Sequence, residues 1–229
     1  TFPAQQRLIS TTDAKGVITY CNDAFVEISG FSREELIRAP HNLVRHPDVP
    51  VAVFEHMWGM LKQGLPWMGI VKNRCKNGDH YWVNAYVTPV FEGKQVTGYE
   101  SVRVKPTAEQ IRRAEALYQR INQGKSAIPS SDKWVPILQD WLPFILVSQL
   151  SFMIGASLNS HWGFALAAGL SVPLGLMGLR WQQRGLKRLL RLAEQTTSDP
   201  LIAQMYTDSR GDQARLEMSI LSQEARLKT

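Results

Sequence analysis

One stretch restricts what this chain can fold into more than any other. From Trp134 to Leu179 the only ionisable side chains are Asp140 and His161, whereas charges are dense elsewhere. A membrane-spanning helix needs about 20 mostly apolar residues, so residues 134–181 are long enough for two. The polar break Ser157-Leu158-Asn159-Ser160-His161 falls near the midpoint and supplies a turn. Gly163, Ala165, Ala167, Ala168 and Gly169 permit close helix contact. Pro173 and Gly175 are tolerated in a membrane helix. The competing solution is a helical pair buried inside a soluble protein. The expectation is a two-span hairpin with both ends on one side. Arg180, Arg184, Lys187, Arg188 and Arg191 assign that side to the cytoplasm.

The same basic run explains much of the formal net charge of +6 over 229 residues. The charge therefore reads as membrane orientation rather than nucleic-acid binding, and no aromatic-interleaved basic strand argues otherwise. Cys21 and Cys75 form neither a close-spaced metal motif nor a disulfide framework, which fits a reducing compartment. No nucleophile–base pair, metal cluster or Walker loop stands out, so a catalytic reading has little support. The start at Thr1 and the helical pattern running to Thr229 suggest the N-terminal piece of a longer protein.

Residues 1–105 read as a separate α+β unit. Leu8 to Thr12 and Val17 to Cys21 are strands across the turn Asp13-Ala14-Lys15-Gly16. Short helices follow at Ala24 to Ser29 and Arg33 to Ile37, the second capped by Ser32. Asp48 is expected to cap a longer helix reaching Lys62, which Gly64 and Pro66 end. Two-fold alternation then marks strands at Trp67 to Arg74, His80 to Phe91 and Val96 to Val104, separated by Asn-Gly and Glu-Gly turns. Two strands, several helices and three strands make a five-stranded antiparallel sheet with a helical insertion.

The stretch His41-Asn42-Leu43-Val44-Arg45-His46-Pro47-Asp48-Val49-Pro50 is unusually polar for the mouth of a core helix. A helix N-terminus attracts phosphate, Arg45 can grip a phosphate with two hydrogen bonds, and His46 can add another. Arg45 could equally pair with a surface carboxylate and Asp48 serve only as a cap. Phe54 and Trp58 share a helix face; with Trp67 they could wall a flat aromatic ligand or simply be core. Tyr81 and Trp82 alternate, so at most one faces inward. Asn22, Asn73 and Asn84 carry amides that both donate and accept.

Specific strings carry a family resemblance. They are Ile18-Thr19-Tyr20-Cys21-Asn22-Asp23-Ala24-Phe25, Ile28 to Leu36, His41 to Pro50, Pro66 to Arg74 and Lys76 to Asn84. With the strand order, they resemble the PAS domain of the bacterial aerotaxis receptor (Aer) family. The resemblance implies a PAS fold that binds FAD, with Arg45, His46 and Asp48 needed for the cofactor. It makes Asn22, Trp58, Trp67 and Asn73 pocket residues, and Phe54 and Tyr81 complete the expected set. No cysteine lies between Gly30 and Gly64, which disfavours the light-driven adduct chemistry of LOV photoreceptors. A PAS domain holding haem or a small metabolite remains the alternative, with His41, His46 and His56 as candidate axial ligands.

Beyond the sheet, residues 106–133 read as a linker helix (Ala108 to Asn122) and loop. Residues 182–229 resemble a HAMP module: a basic amphipathic helix from Gly185 to Gln195, an irregular Thr196 to Asp208 broken at Asp199-Pro200, and a second helix from Gln213 to Lys228. Gly185 stands where HAMP helices usually carry proline, and Asp212-Gln213 where they carry Asp-Glu. The resemblance implies a homodimeric, multi-pass inner-membrane receptor with its PAS and HAMP-like parts in the cytoplasm. It would sense redox state or oxygen and act on the chemotaxis kinase CheA through the coupling protein CheW.

Overall fold

Local chemistry sets the first turns of the fold. β1 (Leu8–Asp13) and β2 (Ile18–Cys21) meet at a turn where the Asp13 carboxylate accepts from the Lys15 and Val17 amides, at 2.8 and 2.9 Å. Gly16 takes the left-handed backbone that the turn requires, at φ 81°. α1 (Asp23–Ser29) is capped by Asn22, and α2 (Arg33–Leu36) by a reciprocal capping box between Ser32 and Glu35. A 3-10 turn, His41–Val44, leads to α3 (Val51–Lys62). β3 (Trp67–Arg74), β4 (His80–Glu92) and β5 (Gln95–Val104) complete an antiparallel sheet in the order β2-β1-β5-β4-β3. The computed structural model describes residues 2–127, 141–142, 145–147, 149–150, 153, 200–209 and 211–228.

The sheet has two covered faces. α3 and the 3-10 turn lie over the inner face, where Trp67, Val71, Val83 and Ala85 point. On the outer face lies α4 (Ala108–Asn122), itself capped by a Thr107–Gln110 box. Ala114, Leu117 and Tyr118 of α4 are buried; the Tyr118 hydroxyl donates to the Ile70 carbonyl, and its ring stacks on Trp82 with centroids 6.1 Å apart. Cover on both faces leaves β3 buried from Trp67 through Asn73.

The C-terminal part returns to this outer face. α5 (Pro200–Tyr206) packs on α4 and β3, with Ile202 and Met205 fully buried. Its Tyr206 hydroxyl donates to Asn84 Oδ1 at 2.6 Å. Arg113 of α4 donates to the Tyr206 carbonyl at 2.8 Å and pairs with Asp208. α6 (Gly211–Lys228) folds against α5 and buries Met218.

Three expectations change. The cap of α3 is Pro50, with no side-chain acceptor; Asp48 turns outward to Lys72 instead. Pro200 starts a helix rather than breaking one, because a first-turn proline loses only an amide that has no intrahelical partner. Asn84 sits on the outer face, away from the inner cavity, because β4 turns its odd-numbered residues inward. The two-span hairpin expected over residues 134–181 and the first HAMP-like helix lie outside the described residues, save for isolated helical positions between 141 and 153. Among the described residues, no helix is long and apolar enough to cross a membrane.

Candidate functional site

A cavity of about 230 Å³ lies between the inner face of the sheet and α3. Trp67 and Val71 of β3, Val83, Ala85 and Val87 of β4 and Tyr99 of β5 form one wall. Phe54, Met57, Trp58 and Leu61, spaced at three and four residues along α3, form the other. Trp58 meets Tyr99 edge-on at 5.3 Å and rests on the β1–β2 turn, where a Cβ on Gly16 would come within 3.2 Å of it. The Trp67 indole N–H donates to His56 Nδ1 at 3.1 Å.

Polar groups interrupt the apolar walls from β1 and β5. Arg103 is only 4% exposed and has no carboxylate partner among the described residues. It donates to Ser10 Oγ at 3.1 Å and to His41 Nε2 at 2.6 Å, and its guanidinium lies 5.2 Å from the Phe25 ring centroid. Guanidinium cannot accept, so His41 is the neutral tautomer with its proton on Nδ1. Burial first, and Arg103 second, push the His41 pKa down to about 3. Burial lowers Arg103 to about 10, so at neutral pH the cavity carries a cation beside a neutral imidazole. Thr12 Oγ1 and Ser101 Oγ, both on the lining, are buried without a hydrogen-bond partner among the described residues. Leaving such a group unpaired costs about 1–3 kcal/mol, and native interiors rarely do so. A flat apolar slot edged by unpaired hydroxyls, an amide and an uncompensated cation fits a planar heteroaromatic ligand with a polar rim.

Of the residues expected at the site, Arg45, Phe54, Trp58, Trp67 and Asn73 line this cavity. Arg45 stacks on Phe54, 4.1 Å from its centroid, and bridges backbone-to-backbone with the buried Asn73. The other four lie elsewhere. Asn22 is occupied in capping: its carbonyl accepts from the Ile9 and Phe25 amides and its amide donates to the Arg7 carbonyl. His46 accepts from the Asp48 amide at 3.2 Å and meets His80 edge-on; burial, then Lys72, lowers its pKa. Asp48 bonds Lys72 at 2.7 Å, which holds its carboxyl below the usual range, and its carbonyl accepts from Asn122 of α4. Tyr81 is buried beyond the cavity lining, its phenol pushed up by burial.

Sequence reasoning missed Ser10, Thr12, Ser101 and Arg103, and offered His41 only as a candidate haem ligand. On β5, alternation alone would send Val102 and Val104 inward and Ser101 and Arg103 to solvent. The structure reverses this: the valines border a pocket shared with Gln110, Tyr206 and Leu221, and the polar residues line the cavity. The available signal was the pair of polar inner positions, Ser10 opposite Ser101, on neighbouring strands.

Comparison with known proteins bears on the fold and the family. The family model described as the PAS fold matches residues 18–103. The aerotaxis receptor of Escherichia coli (strain K12) is 39% identical over 183 residues, which is 80% of this chain and 30% of that protein. The nitrogen fixation regulatory protein of Klebsiella pneumoniae is 37% identical over 82 residues, 36% of this chain and 17% of that protein. Thus the chain spans less than a third of either relative's length. The blue-light photoreceptor Aureochrome1 LOV domain in its light state is 18% identical, covers 52% of this chain and 93% of its own, and has a TM-score of 0.44. With a PAS-fold sheet in place and identity to one receptor running well past it, the chain belongs to the aerotaxis receptor family.

Proposed function

We propose that this chain is the sensory, membrane-proximal part of a redox- and oxygen-responsive signal transducer, and that its cavity holds the flavin of FAD. The observation that carries the reading is the cavity itself: aromatic and aliphatic walls, two orphaned buried hydroxyls and a buried arginine without a carboxylate. Flavin supplies reversible electron uptake coupled to protonation at its central ring. Trp58, Trp67 and Val83 hold the ring flat and exclude water. Asn73, Thr12 and Ser101 offer hydrogen bonds along its edge. Arg103, fixed in a water-poor cavity, favours any gain of negative charge by the occupant. Haem is the weaker reading. Of His41, His46 and His56 only His41 lines the cavity, and its Nε2 is engaged by Arg103.

Output runs through the opposite face of the sheet. A rearrangement around Asn73 and Val71 displaces Ile70 and Lys72 on the same strand. Those residues hold Tyr118 of α4 and, through Asp48, Asn122. α5 rests on the same strand and on Asn84. In this reading residues 134–181 form the membrane hairpin. Trp141, Leu146, Leu150 and Met153, each large and exposed, support it. α5 and α6 belong to a HAMP-like output that, in a homodimer, works on CheA and CheW from the cytoplasmic face of the inner membrane. An absorption spectrum of the purified chain tests the cofactor. A two-banded flavin spectrum that bleaches on chemical reduction is expected. A Soret band, or a colourless protein that stays colourless with added FAD, overturns the reading.

A further inference from the structure

A second cavity, of about 210 Å³, lies between the outer face of the sheet and the C-terminal helices. Met68, Tyr86, Val102 and Val104 of the sheet form its floor, and Leu221 and Ala225 of α6 its roof. Close-packed interiors seldom keep a void of this size, and an apolar cavity of about 150 Å³ already accepts a benzene ring. The polar groups on the lining are of one kind. Asn84 Oδ1 accepts from the Tyr206 hydroxyl at 2.6 Å, and Gln110 Oε1 accepts from the Thr107 amide at 2.9 Å. Those bonds fix how the two amides are turned. They leave both NH2 groups, each able to donate twice, with no partner among the described residues. Arg7, exposed just ahead of β1, adds a guanidinium with no carboxylate partner among the described residues. Glu224, also exposed, is the one acid on the described lining. The space is therefore apolar above and below and edged by open donors.

We propose that this outer cavity is a second ligand site, and that it takes a small monocarboxylate with a flat apolar body of about the size of benzoate. The body lies between floor and roof, and the carboxylate meets Arg7 and the amides of Asn84 and Gln110. Glu224 repels a second carboxylate, so the site prefers a monoacid. The two cavities share no lining residue and are separated by the sheet, so this site does not depend on a flavin in the inner one. Its walls come from the sheet and from α5 and α6 together, so the site is whole only while those helices lie on the sheet. A ligand that binds one arrangement better than another shifts the chain towards it. An organic acid bound here therefore acts on the output helices directly, as a second input beside the inner cavity.

The test is a fluorine NMR titration of the purified full chain with para-fluorobenzoate and with para-fluorobenzyl alcohol, which keeps the body and lacks the charge. The benzoate should bind saturably and more tightly than the alcohol. Arg7→Gln, at an exposed position, should weaken the benzoate about three- to fivefold, as expected for one exposed charge contact, and leave the alcohol unchanged. Glu224→Gln should tighten the benzoate by a similar factor. Ala225→Leu fills the roof and should abolish binding of both probes. Trp58→Phe, confined to the inner cavity, should change neither. Bound benzoate should slow hydrogen exchange in α5 and α6. Absence of saturable binding, equal affinity for the two probes, or benzoate binding that survives Arg7→Gln and Ala225→Leu unchanged overturns the proposal. So does unchanged exchange in both helices, or a loss on Trp58→Phe as large as that on Ala225→Leu, which would place the probe in the inner cavity.

Discussion

Gly69 sits one pleat along β3 from Trp67, on the same face, and the Trp67 indole lies across it. A Cβ at position 69 would fall 2.3 Å from Trp67 Cη2 and 2.5 Å from Cζ2. Neither atom can stay, so Gly69→Ala must swing the ring. Trp67 is 1% exposed and walls the cavity, so the free space open to it is the cavity. The swing breaks the indole bond to His56, a loss of about 1 kcal/mol, and strains the packing by about 1–3 kcal/mol. The sum is about 2–4 kcal/mol, in a domain where each kcal/mol shifts the melting temperature by about 4–8 °C. Thermal melting should therefore fall by about 10 °C or more, and flavin occupancy of the purified protein should drop with it. Gly59→Ala is the matched control. Nothing lies within 4 Å of a Cβ there, and replacing a mid-helix glycine stabilises by about 0.5–1 kcal/mol. In a Trp67→Leu background the added Gly69→Ala change should cost little, because the clash partner is gone. A Gly69→Ala protein that melts within about 2 °C of wild type, roughly 0.5 kcal/mol, and keeps its full flavin would refute this account of the cavity wall.

Further outcomes follow from the same geometry. His41 has a folded pKa near 3 against an unfolded value near 6.5, so the unfolded chain takes up the proton first as pH falls. The stability from keeping it neutral is complete above about pH 6.5 and is lost towards pH 3, amounting to up to about 2 kcal/mol by pH 5. Urea unfolding at pH 7 and pH 5 should show this slope, and His41→Gln should flatten it. Thr12→Val and Ser101→Ala remove orphaned buried hydroxyls; each should leave the cofactor-free protein as stable or about 1 kcal/mol more so, while weakening flavin binding in a titration. Tyr206→Phe removes the bond to Asn84 and should raise hydrogen exchange along α5, with flavin affinity intact; Asn84→Ala on top should add little.

How much of this was legible depended on which face had a neighbour. The outline of the sheet, the turns and α4 followed from alternation, glycine turns and caps, because each is a local signal. Arg45, Phe54, Trp58, Trp67 and Asn73 were found because they are large, amide-bearing or cationic residues in the strings that carry the family resemblance. Ser10, Ser101 and Arg103 were not found, since a polar residue on an alternating strand ordinarily points to solvent. That rule fails when α4, α5 and α6 cover the outer face and a cavity occupies the inner one. Asn22, His46 and Asp48 mislead for the opposite reason: they have the right chemistry beside the site, but the backbone they cap and the lysine they meet absorb it.

The double cover of β3 has a mechanical consequence. Along one strand, Trp67, Val71 and Asn73 line the cavity while Ile70 and Lys72 hold the outer helices, so the two environments are separated by one backbone. Close-packed interiors transmit strain instead of absorbing it, and neither face of β3 opens to solvent until Arg74. Edge strand β2 behaves differently: Thr19 and Tyr20 are exposed, so a displacement there relaxes into water. A ligand that changes its hydrogen bonds at Asn73 therefore acts on the strand least able to dissipate the change. The contacts that receive it, the Tyr118 bond to Ile70 and the Asn122 bond to Asp48, both belong to α4, the helix on which α5 is laid. Placing the polar edge of the cavity on β2 would have left the same pocket with nothing to move.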